Sequence, residues 1–600
     1  MTTSTLDKIQ SEVKPIRWDL SDLFSGLKDP KIEAIFTEIP TRAKAFSDAY
    51  KGTIASISPE TLLTAFQEKE AMGDALSRLG QFIYLTYSTD TSCDEVKALR
   101  ARMETVSSSV ANETLFFGLE LGCLTQERID VLTSSECLKP YWYNLKRAKE
   151  LSTYQLSEKE EQLSNLKDLS GTRAFTKLYT ELTSAFQFEF TVDGQTKTMN
   201  GSELRALRQH EDAGVRREAM SLFFKRYEEN SLTISSIFNS ILRDYNTELV
   251  LRGYSSPVGV MNKSHDLSDK AVDLLHEVTT ESYPLVQRYY KLKAKLLGLK
   301  ELSLSDIYAP LPDASKTYTW EEAKTLVLDS FKAFDSTFYE GAKRMFDENR
   351  IDVPVMPTKK GGAYCYSSSP DLDPYVMLNY LGRPRDVSTL AHELGHAIHA
   401  MFSSDLPISN YHAILPLCET ASVFSEMLLT DHLRAIETDK NAKVSLISET
   451  LENLFATSHR QNMFSSFEMA IHEKINAGMV SSSEFCELYR AELKKMFGDA
   501  VVCPDSYNWE WSSIPHMVDC PFYVYSYNFG NLLVIALYQT YLEQGDAFVP
   551  KIREALSLGS SVSPIAITKA LGVDIESKAF WKQSLTFIES LVDELEQLTT

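Results

Sequence analysis

The sequence has no run of about 18 apolar residues, so a membrane-crossing helix is not expected. Its opening, MTTSTLDKIQSEVKPIRWDLSDLF, has no apolar stretch behind a basic start, which argues against a secretory signal and makes the cytoplasm the expected address. Basic blocks are missing as well. Lys and Arg number 61 against 83 Asp and Glu, a formal net charge of −22. A chain of that sign does not neutralise phosphates, so neither nucleic acid nor an anionic membrane surface is an expected partner. Glycine (24) and proline (21) are sparse and scattered, and no linker, low-complexity run or internal repeat interrupts the 600 residues. The eight cysteines are dispersed with no CxxC pair, so they read as reduced thiols and not as a disulfide frame.

What is present is mostly helical. Residues 59–88, 95–121 and 269–298 carry apolar side chains at three- and four-residue intervals, the last with a kink expected at Pro284. Two places break that period. AFQFEFTVDGQTKTM (185–199) alternates and then turns at Asp193-Gly194, which predicts a hairpin. DPYVMLNYLG (373–382) predicts a short strand, with a loop or short hairpin at TKKGGAYCYSSSP (358–370) just before it. The expectation is a mostly α protein with a small β-sheet. Its N-terminal helical lobe, with the hairpin, spans 1–200 and a catalytic domain spans 201–600.

The chemistry concentrates in TLAHELGHAIHAMF, residues 389–402. His392 and His396 are four residues apart, so a helix projects both from one face, one turn apart, within reach of a single zinc ion. Glu393 lies beside His392, where it can take a proton from the attacking water. This is the HExxH arrangement of metallopeptidases. Asp386 is the expected N-cap of the helix. The other His-Glu pairs, at 276–277 and 472–473, lack the second histidine.

Two histidines leave a catalytic zinc short of one protein ligand. His399 shares the helix face, but seven residues of helix carry it about 10.5 Å along the axis from His392. The metzincin pattern fails too, with His at 399 and Phe at 402. LPLCETASVFSEMLLTDHL (415–433) offers Glu419 as a ligand and Glu426, seven residues on, as an acceptor for the second ring N–H of a histidine. His412 and Asp405 stand in the intervening loop as weaker candidates.

HELGHAIH followed by ETASVFSEML resembles the thimet oligopeptidase superfamily, and its oligoendopeptidase F branch in particular. IRWDLSDLF, GTRAFTKLYTELTSAFQFEFTVDG, LRALRQHEDAGVRREA and HMVDCPFYVYSYNFGNLL extend the resemblance over nearly the whole chain. It implies a two-lobed helical body with a deep substrate channel and one Zn2+ per chain. His392, His396 and Glu419 would be the metal ligands and Glu393 the general base. It further implies that His516 and a tyrosine, Tyr527 before Tyr525 or Tyr523, donate to the oxyanion. The implied reaction is hydrolysis of internal bonds in short unfolded peptides. A metallocarboxypeptidase on a related helical fold, or a catalytically idle zinc-containing peptide binder, are the alternatives. The strand PYVMLNY is expected to pair with the extended substrate.

Overall fold

The computed structural model describes residues 3–311 and 316–599. They divide into two compact units, each assembled from three stretches of chain. The first comprises Met1–Thr153, Ser315–Ile436 and Thr540–Asp574, and the second Tyr154–Ala314, Glu437–Gln539 and Ile575–Thr600. Residue 200, where the sequence suggests a boundary, falls inside the first stretch of the second unit. Helices dominate both units; the strands among the described residues form sheets of two, two and three strands. No helix among these residues is long and apolar enough to cross a membrane.

In the first unit, the helices Pro30–Tyr50, Pro59–Thr89 and Asp94–Gly122 pack together, each against the other two. Pro59–Thr89 starts where the sequence expects it, with Pro59 in its first turn and the Ser58 hydroxyl accepting from the Thr61 N–H. Its apolar stripe meets Phe46, Phe116 and Phe117 from the neighbouring helices, and Phe66 stacks on Tyr141 with centroids 4.3 Å apart.

The three-stranded sheet of this unit runs Ile351–Asp352, Tyr375–Met377, Tyr364–Tyr366 in spatial order. The first pair is parallel and the second antiparallel. Tyr375–Met377 is therefore the central strand with both edges occupied, so it has no free edge to offer a peptide. The free edge beside the histidine helix belongs to Tyr364–Tyr366. The short Ile351–Asp352 strand, only two residues long, carries no readable alternation.

A buried charge cluster fixes this sheet. The Lys359 ammonium, fully enclosed, donates to Asp352 Oδ1 (2.5 Å) and to the carbonyls of Pro354 (2.8 Å) and Leu378 (2.6 Å). Arg17 closes on the other oxygen of Asp352. An enclosed lysine survives in the interior only with such partners, and here they tie both strand ends together. The IRWDL segment docks on the same sheet through Ile16 O, which accepts from Val353 N–H, and through Trp18 edge-on to Tyr375.

In the second unit, Gln187–Val192 and Gln195–Asn200 form the expected hairpin, with Asp193 and Gly194 both at positive φ (52° and 74°). Those values match the tight turn that Asp-Gly favours. The 269–298 segment is two helices, Asp269–Glu281 and Tyr283–Leu296, with Pro284 in the first turn of the second.

Candidate active site

The histidine helix spans Pro384–Phe402 and buries Val387, Leu390, Ala391, Leu394, Ala397 and Ile398 to within 1% of full enclosure. Pro384 opens it, and Arg383, not Asp386, occupies the N-cap position. Asp386 caps from inside the first turn: its carboxylate accepts from the N–H groups of Leu381 (2.9 Å) and Arg383 (3.0 Å). The chain then passes through a short turn, Leu415–Cys418, and a second helix, Thr420–Ile436, lies along the first. Glu419 sits in the break between them.

This arrangement brings His392, His396 and Glu419 together, with one donor atom from each within 4.8 Å of the others. The Nε2 atoms of both histidines stand 3.3 Å from the same oxygen, Glu419 Oε2. On the far side of its ring, His392 Nδ1 meets Glu426 Oε1 at 2.6 Å, which fixes the ring's rotation. Burial drives the Glu419 carboxyl upward, but the hydrogen bond from His396, both imidazole charges and the Ser422 hydroxyl outweigh it and hold it at about 2. For His392 burial disfavours the charged ring, and Glu426, Glu419 and Glu393 overcome that and raise it to about 9.

Glu393 is 6% exposed, and burial pushes its carboxyl upward against the pull of the two imidazoles. The Cys365 backbone N–H donates to it. The sheet register explains that contact. Val376 and Leu378 direct their N–H groups at Arg350 and Asp352, so the backbone of Tyr375 and Met377 faces Tyr364 and Tyr366. Cys365 is left with its backbone polar groups on the outer edge, beside Glu393. The Cys365 thiol is pushed well up by burial and by the Glu393 charge, which makes it a poor nucleophile.

Gly395 lets the two helices meet. A Cβ there would stand 2.6 Å from Ala421 O and from Ser422 Cα, both backbone atoms. Spacing within the motif does not mark this glycine, although a small residue inside a helix is the usual sign of a close approach. Nor does spacing mark Ser422, whose hydroxyl donates to Glu419 Oε2 at 2.7 Å.

His399 does not join the cluster. It is buried, and burial, with a smaller push from the His396 charge, takes its ring down to about 4. Asp405 and His412 are likewise absent from the one His/Cys/Asp/Glu group of ligand spacing among the described residues.

Residues 206–587 match the family model described as peptidase family M3. The chain belongs to peptidase family M3. Residues 120–188 match a second model, described as oligopeptidase F. Among curated proteins the chain is similar to the oligopeptidase PepF of Bacillus subtilis, at 27% identity over 98% of this chain and 88% of that one. It is 25% identical to an oligoendopeptidase F homolog of Lactococcus lactis, over 97% of each chain. Among solved structures it shares its fold with an oligoendopeptidase-F from Enterococcus faecium, at a TM-score of 0.73 and 22% identity over 94% of this chain and 98% of that one. A putative peptidase from Chlamydophila abortus superposes at a TM-score of 0.86, with 24% identity over 98% and 99% of the two chains. The enzyme is a metalloendopeptidase.

An M3 peptidase implies a metal, and the donor set fits one. Around a tetrahedral zinc with bonds of about 2.0–2.1 Å, neighbouring ligand atoms stand about 3.3–3.4 Å apart, and the two His–Glu419 spacings are 3.3 Å. Three carboxylates, Glu393, Glu419 and Glu426, face two imidazoles, a balance that a divalent cation answers.

The M3 match also covers the second candidate region, in the other unit. His516 opens the short helix His516–Asp519, and Tyr527 lies in the first turn of Tyr525–Gln544. The His516 ring stacks parallel to Tyr523 (centroids 5.6 Å, 4°) and edge-on to Tyr527, with His516 Nε2 and the Tyr527 hydroxyl 3.4 Å apart. Burial lowers the His516 ring, only partly countered by Asp519, which favours its neutral form. Tyr525 is fully buried and its hydroxyl is taken by His265 Nδ1 at 3.0 Å. Of the three tyrosines, it has no face to offer a substrate.

Proposed function

We propose that this M3 peptidase hydrolyses internal bonds of short unfolded peptides in the cytoplasm, using one zinc ion held by His392, His396 and Glu419. The observation that carries the reading is the convergence of those three donors beside a buried, sheet-anchored Glu393. A bound zinc would supply Lewis acidity toward the scissile carbonyl and toward water. Glu393 takes the proton of the attacking water and delivers it to the leaving nitrogen. Glu426 keeps the His392 ring oriented through Nδ1. Tyr527 and His516 donate to the oxygen that becomes negative as the carbonyl turns tetrahedral.

An extended peptide would lie along the outer edge of Tyr364–Tyr366, where the Cys365 carbonyl can accept from it while the Cys365 N–H stays on Glu393. Backbone pairing of that kind binds with little demand on side chains, which suits varied oligopeptides. The names of the relatives, oligopeptidase and oligoendopeptidase, agree with that substrate class.

A length series of end-labelled, fluorescence-quenched peptides tests the reading, run with and without a chelator. Internal cuts in short peptides, abolished by the chelator and restored by zinc, are expected. Release of single C-terminal residues would favour a carboxypeptidase, and binding without cleavage would favour an idle peptide binder.

A further inference from the structure

The chain between His516 and Tyr527 turns a corner that its own sequence does not favour. Cys520 N–H closes the His516–Asp519 turn on His516 O (2.9 Å), and Tyr523 N–H returns to Cys520 O (3.2 Å). Between them Phe522 lies at φ 60°, a left-handed conformation disfavoured for any residue with a Cβ. Something outside the corner has to hold it. The Phe522 ring is fully buried against His472 and Tyr245, with centroids 4.8 and 5.9 Å away. Its N–H donates to Glu468 Oε1 at 3.0 Å, from the helix Arg460–Ile475.

Glu468 is an odd residue for that place. It is 1% exposed, its second oxygen Oε2 has no hydrogen-bond partner, and no ion pair involves it among the described residues. If filling the core were the only demand, no carboxylate would be needed here; the Phe522 N–H is the group that requires the acceptor Glu468 supplies. Burial pushes the carboxyl up to about 8, so near neutrality it is largely a neutral acid. Its carbonyl oxygen then serves the corner as an amide oxygen would.

We propose that Glu468 is a positioning residue for catalysis: by holding the left-handed corner at Phe522, it sets the His516 and Tyr527 donors in register. The proposal rests on the oxyanion role given above to those two side chains. The rings that move with the corner are the ones that touch, since Tyr523, next to Phe522, stacks on His516 and meets Tyr527 edge-on at 5.1 Å. A corner that relaxed toward ordinary φ would swing Tyr523 away and leave the two donors without a common wall.

The test compares Glu468→Gln, Glu468→Asp and Glu468→Leu by kcat, KM, bound zinc and thermal midpoint. Gln keeps an acceptor oxygen at the same reach and should stay within about twofold of the parent kcat. Asp withdraws the oxygen and Leu removes it; each should lower kcat about tenfold or more, with KM and zinc content unchanged, as misplacing a catalytic group by ~1 Å does. A loss in Gln equal to that in Leu overturns the proposal, and so does wild-type kcat in both Asp and Leu. Should the Leu variant fail to fold, the contrast between Gln and Asp decides by the same criteria. Tyr527→Phe separates the two claims. Glu468→Leu should cost little more in a Tyr527→Phe background, whereas a fully additive loss means that Glu468 acts elsewhere. Wild-type kcat in Tyr527→Phe alone would remove the oxyanion reading itself, whatever Glu468 does.

Discussion

Glu393→Gln is expected to lower kcat by about 10³- to 10⁴-fold, the upper part of the range for a general base, while bound zinc stays near one per chain. The split follows from the geometry. Glu393 stands outside the group formed by His392, His396 and Glu419, so removing its charge leaves the donors in place. An amide oxygen can still accept from the Cys365 N–H, so the side chain keeps its anchor on the sheet edge. What it loses is the ability to take a proton. Steady-state kinetics with metal analysis of the same sample check this. A variant within tenfold of the parent kcat would take the general-base role away from Glu393.

The second large effect is expected at a residue with no functional group. In Gly395→Ala, the added methyl would meet backbone atoms of Ala421 and Ser422 at 2.6 Å. Neither atom can rotate out of the way. Carbon atoms rest at about 3.5–4.0 Å, so the two helices would have to part by roughly 1 Å. Glu419 sits at the start of the second helix and would move with it, yet metal sites tolerate only about 0.2 Å in ligand distance. We expect a loss of about 1–3 kcal/mol in stability from overpacking and of about 100-fold in metal affinity, the upper end for disturbed ligand support. Thermal melts and metal titration of the apoprotein measure both. Unchanged affinity would mean that Glu419 is not held by this helix contact.

How legible the site was depended on how local its parts are. His392, Glu393 and His396 lie within one helical turn, where spacing translates directly into geometry. Glu419 and Glu426 required only that two helices face each other, and the seven-residue interval put them on one side. The hairpin was readable because Asp193-Gly194 sits between alternating strands. The small sheet was harder. Its order depends on Ile351–Asp352, two residues with no period, so Tyr375–Met377 looked like an open edge when it is the central strand. Asp386 was recognised as a cap, but its position was off by one turn because Pro384 already opens the helix.

Other features leave no trace in local pattern. Gly395 is informative only once its partner helix is known. Glu468 bonds to a backbone N–H 54 residues away, and nothing in SSFEMAIHEKI distinguishes it from a surface carboxylate. The two units interleave along the chain, and periodicity in short windows carries no information about such long-range assembly. The family resemblance pointed to His516 and Tyr527, far along the chain from the motif, but to neither Gly395 nor Glu468.

The central claim is that Glu419, and not His399, completes the metal set with His392 and His396. Zinc content of purified Glu419→Ala and His399→Ala, measured side by side after dialysis against weak chelator, tests it most directly. The account predicts that Glu419→Ala retains almost no zinc and no peptidase activity, and that His399→Ala, once folded, holds about one zinc per chain. Full zinc in Glu419→Ala, with loss in His399→Ala, would contradict it.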